Sequence, residues 1–255
     1  MSLDALRAAF DAGTIITLAP IVFIANFVFA TIGFGGGVVG TPIAAQFVEP
    51  RFALSLFALF ECLITVRILV AGAGDVARRE LAGLIPACLV GVGLGTLLLV
   101  RLPVPALMLA MGVFVCLFVL HRLWPGNART TVSRRWAPVA GFAGGIASAV
   151  FGAGGPPYAI YLSLRPLSVA QMRATLAANG VVSVGARVVA FALAGLYSTP
   201  RVWIAFITLL PVMILAIVVA ERLARRIPRA QMTRAVYLLL VVSGASLIVR
   251  ALAGS

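Results

Sequence analysis

The chain has 255 residues, 62% of them hydrophobic and 11% charged, with a mean hydropathy of +1.14. Such values exclude a soluble domain and define a polytopic membrane protein, all-α because helices satisfy their own backbone groups in lipid. The formal charge of +13 comes from twenty arginines and no lysine. They gather at the ends of apolar runs, so the preference of basic loops for the cytoplasm accounts for them and nucleic acid is not implied.

Along the chain, residues 15–30 run apolar into Ala30 and Thr31, as a signal peptide would. We read the segment as retained, because the same apolar run into a phenylalanine and a glycine cluster returns in mid-chain. Apolar runs long enough to cross a core of about 30 Å lie near 52–71, 81–100, 104–121, 175–195, 202–220 and 235–249. Two further runs, 14–48 and 137–164, are broken by glycine. Cys62, Cys88 and Cys116 sit in separate apolar segments without CxxC spacing, so they are expected to pack as small hydrophobes and to hold neither a disulfide nor a metal.

The two broken runs align: ATIGFGGG, 30–37, matches ASAVFGAG, 147–154, and Phe34 pairs with Phe151 at an offset of 117. Arg67 has a counterpart in Arg187 after a small insertion. The chain is therefore read as a duplication: residues 1–120 form the first membrane repeat, 121–136 a basic linker and 137–255 the second repeat.

Arginine counts orient the halves. The 72–80, 121–136 and 221–234 loops are basic and are expected on the cytoplasmic side. An even number of crossings must then separate the last two, which makes 137–164 a re-entrant hairpin with arms of about a dozen residues, roughly 20 Å each. Applying the same hairpin to 14–48 places the halves in opposite orientation. The expected architecture is two inverted repeats, each a glycine-broken hairpin followed by three transmembrane helices: eight hydrophobic segments, or ten counting hairpin arms. Residues 14–32 are also long enough to span completely.

Non-helical backbone at membrane depth is tolerated where it is buried in protein or lines a wet cavity. Gly154, Gly155, Pro156 and Pro157 open a helix whose first amides and dipole attract anions. Tight helix crossing is the alternative, also suggested by the GxxxG spacing of Gly141 with Gly145 and of Gly91 with Gly95. The face carrying Gly91, Gly93 and Gly95 can pack within the monomer or between monomers of a homo-oligomer. Gly35, Gly37 and Gly40 satisfy GxGxxG, but no strand precedes them and a dinucleotide site is discarded.

An arginine at the centre of a span costs about 2.5–3.5 kcal/mol on insertion scales, and Arg67 and Arg187 are the leading candidates for binding an oxyanion. Snorkelling, or an ion pair with Glu61, is the bland reading. Asn179, Ser183 and Arg187 recur every fourth residue and share one helical face. Glu61, the acid well inside a span, is either a static counter-ion or a carrier of a coupling proton. His121 decorates an interface. No serine, histidine and carboxylate set and no metal-ligand cluster falls within the spans, so an enzyme is not indicated.

GFGGGVVGTP, 33–42, FGAGGPPYAIYL, 151–162, and the following QMRATLAANGVVS, 171–183, together resemble the TauE/SafE family of membrane permeases. The resemblance covers nearly the whole chain, and its GGPP-Y-x-x-YL stretch is the more specific part. It implies transport of small sulfur-containing anions such as sulfite, sulfoacetate or other sulfonates across a bacterial-type inner membrane, without a cofactor. Carried onto this sequence, Gly35, Gly36 and Gly37 match the first glycine cluster and Gly154, Gly155, Pro156 and Pro157 the second. The first cluster lacks the double proline, which unbalances the two halves of the site. Readings from other classes are an anion channel lined by the same arginines and a membrane scaffold whose basic loops recruit a partner or anionic lipid.

Overall fold

The computed structural model describes residues 12–32, 36–71, 76–123, 131–223 and 229–253. Among them are ten α-helices: α1 (Ala12–Ile32), α2 (Gly36–Ala44), α3 (Pro50–Ala71), α4 (Arg78–Arg101), α5 (Val104–Leu123), α6 (Ala137–Phe151), α7 (Gly155–Ser163), α8 (Val169–Leu193), α9 (Pro200–Leu223) and α10 (Arg229–Ala253). A short 3-10 turn, Arg134–Trp136, leads into α6. Six of the helices, α1, α4, α5, α8, α9 and α10, are long and apolar enough to cross a membrane. The chain is an all-α polytopic membrane protein.

Both glycine-broken runs fold back on themselves. In the second, Gly152 ends α6 in the left-handed conformation (φ 66°), where an L side chain would be strained. Its N–H and that of Ala153 bond back to Ser148 and Ala147, and α7 then returns along α6: Gly154 lies against Ser148, and Gly144 against the Tyr158 ring. A Cβ on Gly144 would stand 2.1 Å from that ring, so glycine is what allows the arms to touch. The first run repeats the pattern, with Gly36 beside Phe29 and Gly40 beside Ala25. Its first arm is longer than the expected dozen residues, because α1 has 21 residues against 15 for α6. The N-terminal segment is thus both a span-length helix and one arm of a hairpin.

Hydrogen bonds locate the open ends of the hairpins. Val132 N–H donates to the Leu164 carbonyl at 3.0 Å, and Arg165 donates to the Val132 carbonyl, so the chain enters α6 and leaves α7 at one level. The start of α4 lies there too, since Glu80 accepts from Arg134 and Arg165. At the opposite end, Arg201 donates to Thr14, Arg250 to the Gln46 carbonyl, and Arg51 to the carbonyls of Leu99, Val100 and Leu102 that close α4. The first hairpin opens at this second end.

Helix pairing is exchanged between the halves. α6 packs on α4 of the other half, α1 packs on α9, and α5 packs on α10. Gly91 and Gly95 of α4 meet the α6 backbone around Phe142–Ile146, while Gly141 and Gly145 of α6 meet the Leu84 and Cys88 carbonyls of α4. The GxxxG spacings therefore serve close packing within one chain. Gly93 stands apart, with nothing within 4 Å of an added Cβ.

Candidate functional site

The two hairpin tips meet. A Cβ on Gly37, in the first turn of α2, would stand 2.4 Å from the Gly152 carbonyl oxygen, and Thr41 Oγ1 also faces Gly152. Behind the tips α3 and α8 cross, bringing Glu61 of α3 to Arg187 of α8 across 126 residues of sequence. Arg187 Nη2 donates to Glu61 Oε2, and Arg187 Nη1 donates to the Ser148 carbonyl at 2.8 Å. The other carboxylate oxygen, Glu61 Oε1, accepts the Gly37 N–H at 2.5 Å. One buried acid thus joins both halves of the molecule.

All of these groups are withdrawn from solvent: Arg187 is 1% exposed, Asn179 0%, Ser183 2% and Glu61 7%. Isolated, either charge would cost several kcal/mol at this depth. Paired and hydrogen-bonded to backbone groups, each has its partner. Accounting is incomplete, however, at four atoms. Arg187 Nε, Thr41 Oγ1 and both ends of the Asn179 amide lack a hydrogen-bond partner among the described residues, although Asn179 lies close to the Tyr158 hydroxyl. Unpaired buried polar atoms cost about 1–3 kcal/mol each, and such groups recur where a ligand or water completes the set.

A polar chain leads from this centre along α8. Ser183 Oγ donates to Ser148 Oγ at 3.2 Å and lies 3.1 Å from the Tyr158 hydroxyl, which lies 3.0 Å from Cys88 Sγ. Thr175, Asn179, Ser183 and Arg187 form one buried stripe at four-residue spacing. Its outer end, Thr175, accepts the Ala77 N–H near the basic end of the molecule. A capping box between Ser168 and Gln171 fixes the start of α8 and hence the register of the stripe.

Of the residues expected at a site, Gly36, Gly37, Glu61, Asn179, Ser183 and Arg187 gather at or along this junction. Gly35 lies outside the described residues, as does the side chain of Arg67, whose backbone belongs to α3. Gly154 packs on Ser148 and the Gly144 carbonyl. Pro156 and Pro157 occupy the first turn of α7, and neither carries an N–H. Within positions 155–157 only Gly155 can donate, so α7 offers an anion far less than α2 does.

Sequence reasoning missed Ser148, whose contribution is a backbone carbonyl and leaves no trace in residue type. It also missed Glu80. That carboxylate, 3% exposed, accepts from Tyr161 at 2.5 Å, from Arg165 at 3.0 Å and from Arg134 at 3.4 Å, tying α4 to the open end of the second hairpin. Its position directly after Arg78 and Arg79, at the edge of an apolar run, was the available signal. Among the described residues no three His, Cys, Asp or Glu side chains assemble as a metal site.

Comparison with known proteins agrees with this architecture. Residues 18–247 match the family described as Sulfite exporter TauE/SafE. The chain is 27% identical over 174 residues to the "Probable inner membrane transporter protein TsaS" of Comamonas testosteroni, covering 68% of this chain and 73% of that one. No solved structure gives a significant match. With the family matched from α1 to α10, the chain belongs to the TauE/SafE sulfite exporter family, whose members are membrane transporters and not enzymes.

Proposed function

We propose that the protein is a secondary transporter, a permease that moves a small sulfur-containing oxyanion such as sulfite, sulfoacetate or another sulfonate across the inner membrane by alternating access. The observation that carries the reading is Arg187, a 99%-buried cation held where two glycine-broken hairpins meet. A guanidinium grips two oxygens of a tetrahedral or trigonal oxyanion at once, and the amides at the start of α2 point to the same place. In this reading Gly36, Gly37 and Arg187 hold the anion; the sequence-based candidates Gly35 and the Arg67 side chain lie outside the described residues. Gly154, Gly155, Pro156 and Pro157 form the opposite wall. Asn179 and Ser183 line the approach, and Glu61 is the candidate for coupling to protons.

The halves are read as inverted repeats, because their hairpins open at opposite ends of the molecule. The end bearing Arg78, Arg79, Arg134 and Arg165 is assigned to the cytoplasm. Alternating exposure would then break the Glu80 cluster on one side and the Arg51 and Arg201 contacts on the other, in turn. The relative from Comamonas is named as an inner-membrane transporter, which supports the location.

Uptake of radiolabelled sulfite, sulfoacetate and taurine into proteoliposomes, with and without an inward proton gradient, tests the reading. Saturable flux of one anion, accelerated by unlabelled anion on the far side and lost in Arg187→Ala, is the expected result. Flux that scales linearly with driving force would instead indicate a channel, and retained binding by a folded Arg187→Ala would overturn the site.

A further inference from the structure

In the closed arrangement the donors best suited to a substrate anion already hold one. Glu61 places one carboxylate oxygen on the Gly37 amide at the start of α2 and the other on Arg187. These are two of the groups that an oxyanion would need, and they are the two with a free geometry for it: α7 opposite is blocked by Pro156 and Pro157. We infer that Glu61 is an internal competitor, a tethered carboxylate occupying the anion site, which the substrate must displace and which takes up one proton when displaced. The inference rests on the reading that Arg187 and the α2 amides form the anion site.

The physical argument is one of charge. Arg187, with a single positive charge, cannot neutralise both Glu61 and a bound anion in a site this buried, and an uncompensated carboxylate in low dielectric takes a proton instead of standing bare. The groups around Glu61 leave few alternatives. α8 brings Arg187; α2 brings backbone amides and no titratable side chain; α6 brings the carbonyls of Ser148 and Gly152. Tyr197, between α8 and α9, is within electrostatic reach of Arg187 and Cys62. On α3 itself Thr65 Oγ1 bonds the Glu61 carbonyl, and the Arg67 side chain lies outside the described residues. The unpartnered Arg187 Nε and Thr41 Oγ1 stand at the same junction and are available to an incoming oxyanion. Binding then balances as one anion entering, one proton moving from solvent onto Glu61, and the Glu61–Arg187 pair opening. For a singly charged anion such as methanesulfonate the loaded site carries the same net charge as the empty one, so anion and proton move together.

This arrangement makes an acid at the site weaken anion binding at neutral pH, the reverse of what a substrate-holding residue would do. The test uses purified full-length protein in detergent with sulfoacetate and methanesulfonate, whose charges are constant between pH 6 and 8. In the wild type, affinity should rise about tenfold for each unit the pH falls, the slope of a one-proton linkage. Saturating anion at pH 7 in weak buffer should withdraw about one proton per chain from solution. Glu61→Gln should bind at least about tenfold more tightly than wild type at pH 7.5 and lose both the slope and the proton uptake. His121→Gln, at the exposed end of α5, should keep both. A wild type that binds with neither slope nor proton uptake overturns the inference whether or not the variant folds, as does a folded Glu61→Gln that binds more weakly. Binding that survives in folded Arg187→Gln overturns the anion-site reading instead, which separates the two failures.

Discussion

The two hairpin tips carry similar glycine-rich stretches, ATIGFGGG at 30–37 and ASAVFGAG at 147–154, and do opposite electrostatic work. The first, at the start of α2, turns backbone N–H groups toward the centre, and Gly37 holds a carboxylate there. The second, at the end of α6, turns carbonyls toward it, and Ser148 holds a guanidinium. The divergence follows from composition: glycines and valines keep the donors of α2, whereas Pro156 and Pro157 remove two from α7. At the offset that relates Arg67 to Arg187, the counterpart of Glu61 is Val181, so the ion pair is likewise one-sided. Two hairpins with similar glycine-rich stretches can thus differ in what they hold at the site.

The sharpest way to break the comparison is Arg187→Gln. It strips the carbonyl-lined tip of its cation and leaves Glu61 buried, with an expected loss of about 3–5 kcal/mol. A fall in thermal stability in detergent, with sulfonate binding abolished, is the expected outcome; unchanged stability would mean that the pair is not closed in the resting protein. Gly37→Ala comes next. Its Cβ would collide with the Gly152 carbonyl at 2.4 Å and with Glu61 Oε1 at 2.6 Å, neither of them a freely movable chain end, so the tips must part. A cost of about 1–3 kcal/mol and loss of saturable uptake are expected.

Ser148→Ala sharpens the contrast in the other direction. The second tip holds Arg187 through backbone, so removing the hydroxyl forfeits only the 3.2 Å bond from Ser183. That should cost about 1 kcal/mol and leave anion affinity within about twofold, the spread expected of a minor local contact; a large loss would transfer the work from the carbonyl to the side chain. Gly93→Ala is the smallest. With nothing within 4 Å the added methyl should stabilise slightly, by about 0.4–1 kcal/mol through the entropy of the unfolded chain, whereas Gly91→Ala, 2.3 Å from the Phe142 carbonyl, should prevent α4 and α6 from docking. Parallel thermal unfolding of the two variants measures the difference.

Some features were legible because they depend on residue type summed along the chain. Six apolar runs correspond to α3, α4, α5, α8, α9 and α10, and the glycine and proline breaks mark both turns. Other features were not. The length of α1 was ambiguous because residues 14–32 are long enough to span completely, whereas the hairpin reading asked for an arm of about a dozen residues. The anion role expected of the GGPP stretch followed from its position at a helix start, and that expectation overlooked the missing N–H groups of proline.

By itself the sequence determined the solvent, the all-α class and the short list of polar residues in the spans, since hydropathy and helix breaking act locally and add residue by residue. Only the tertiary structure decided that Glu61 meets Arg187, that Ser148 contributes a carbonyl, and that Glu80 ties the second hairpin to α4. Those contacts join residues 126, 39 and 85 apart in the chain. They depend on where helices cross and how they are rotated, which close glycine packing sets and composition does not record.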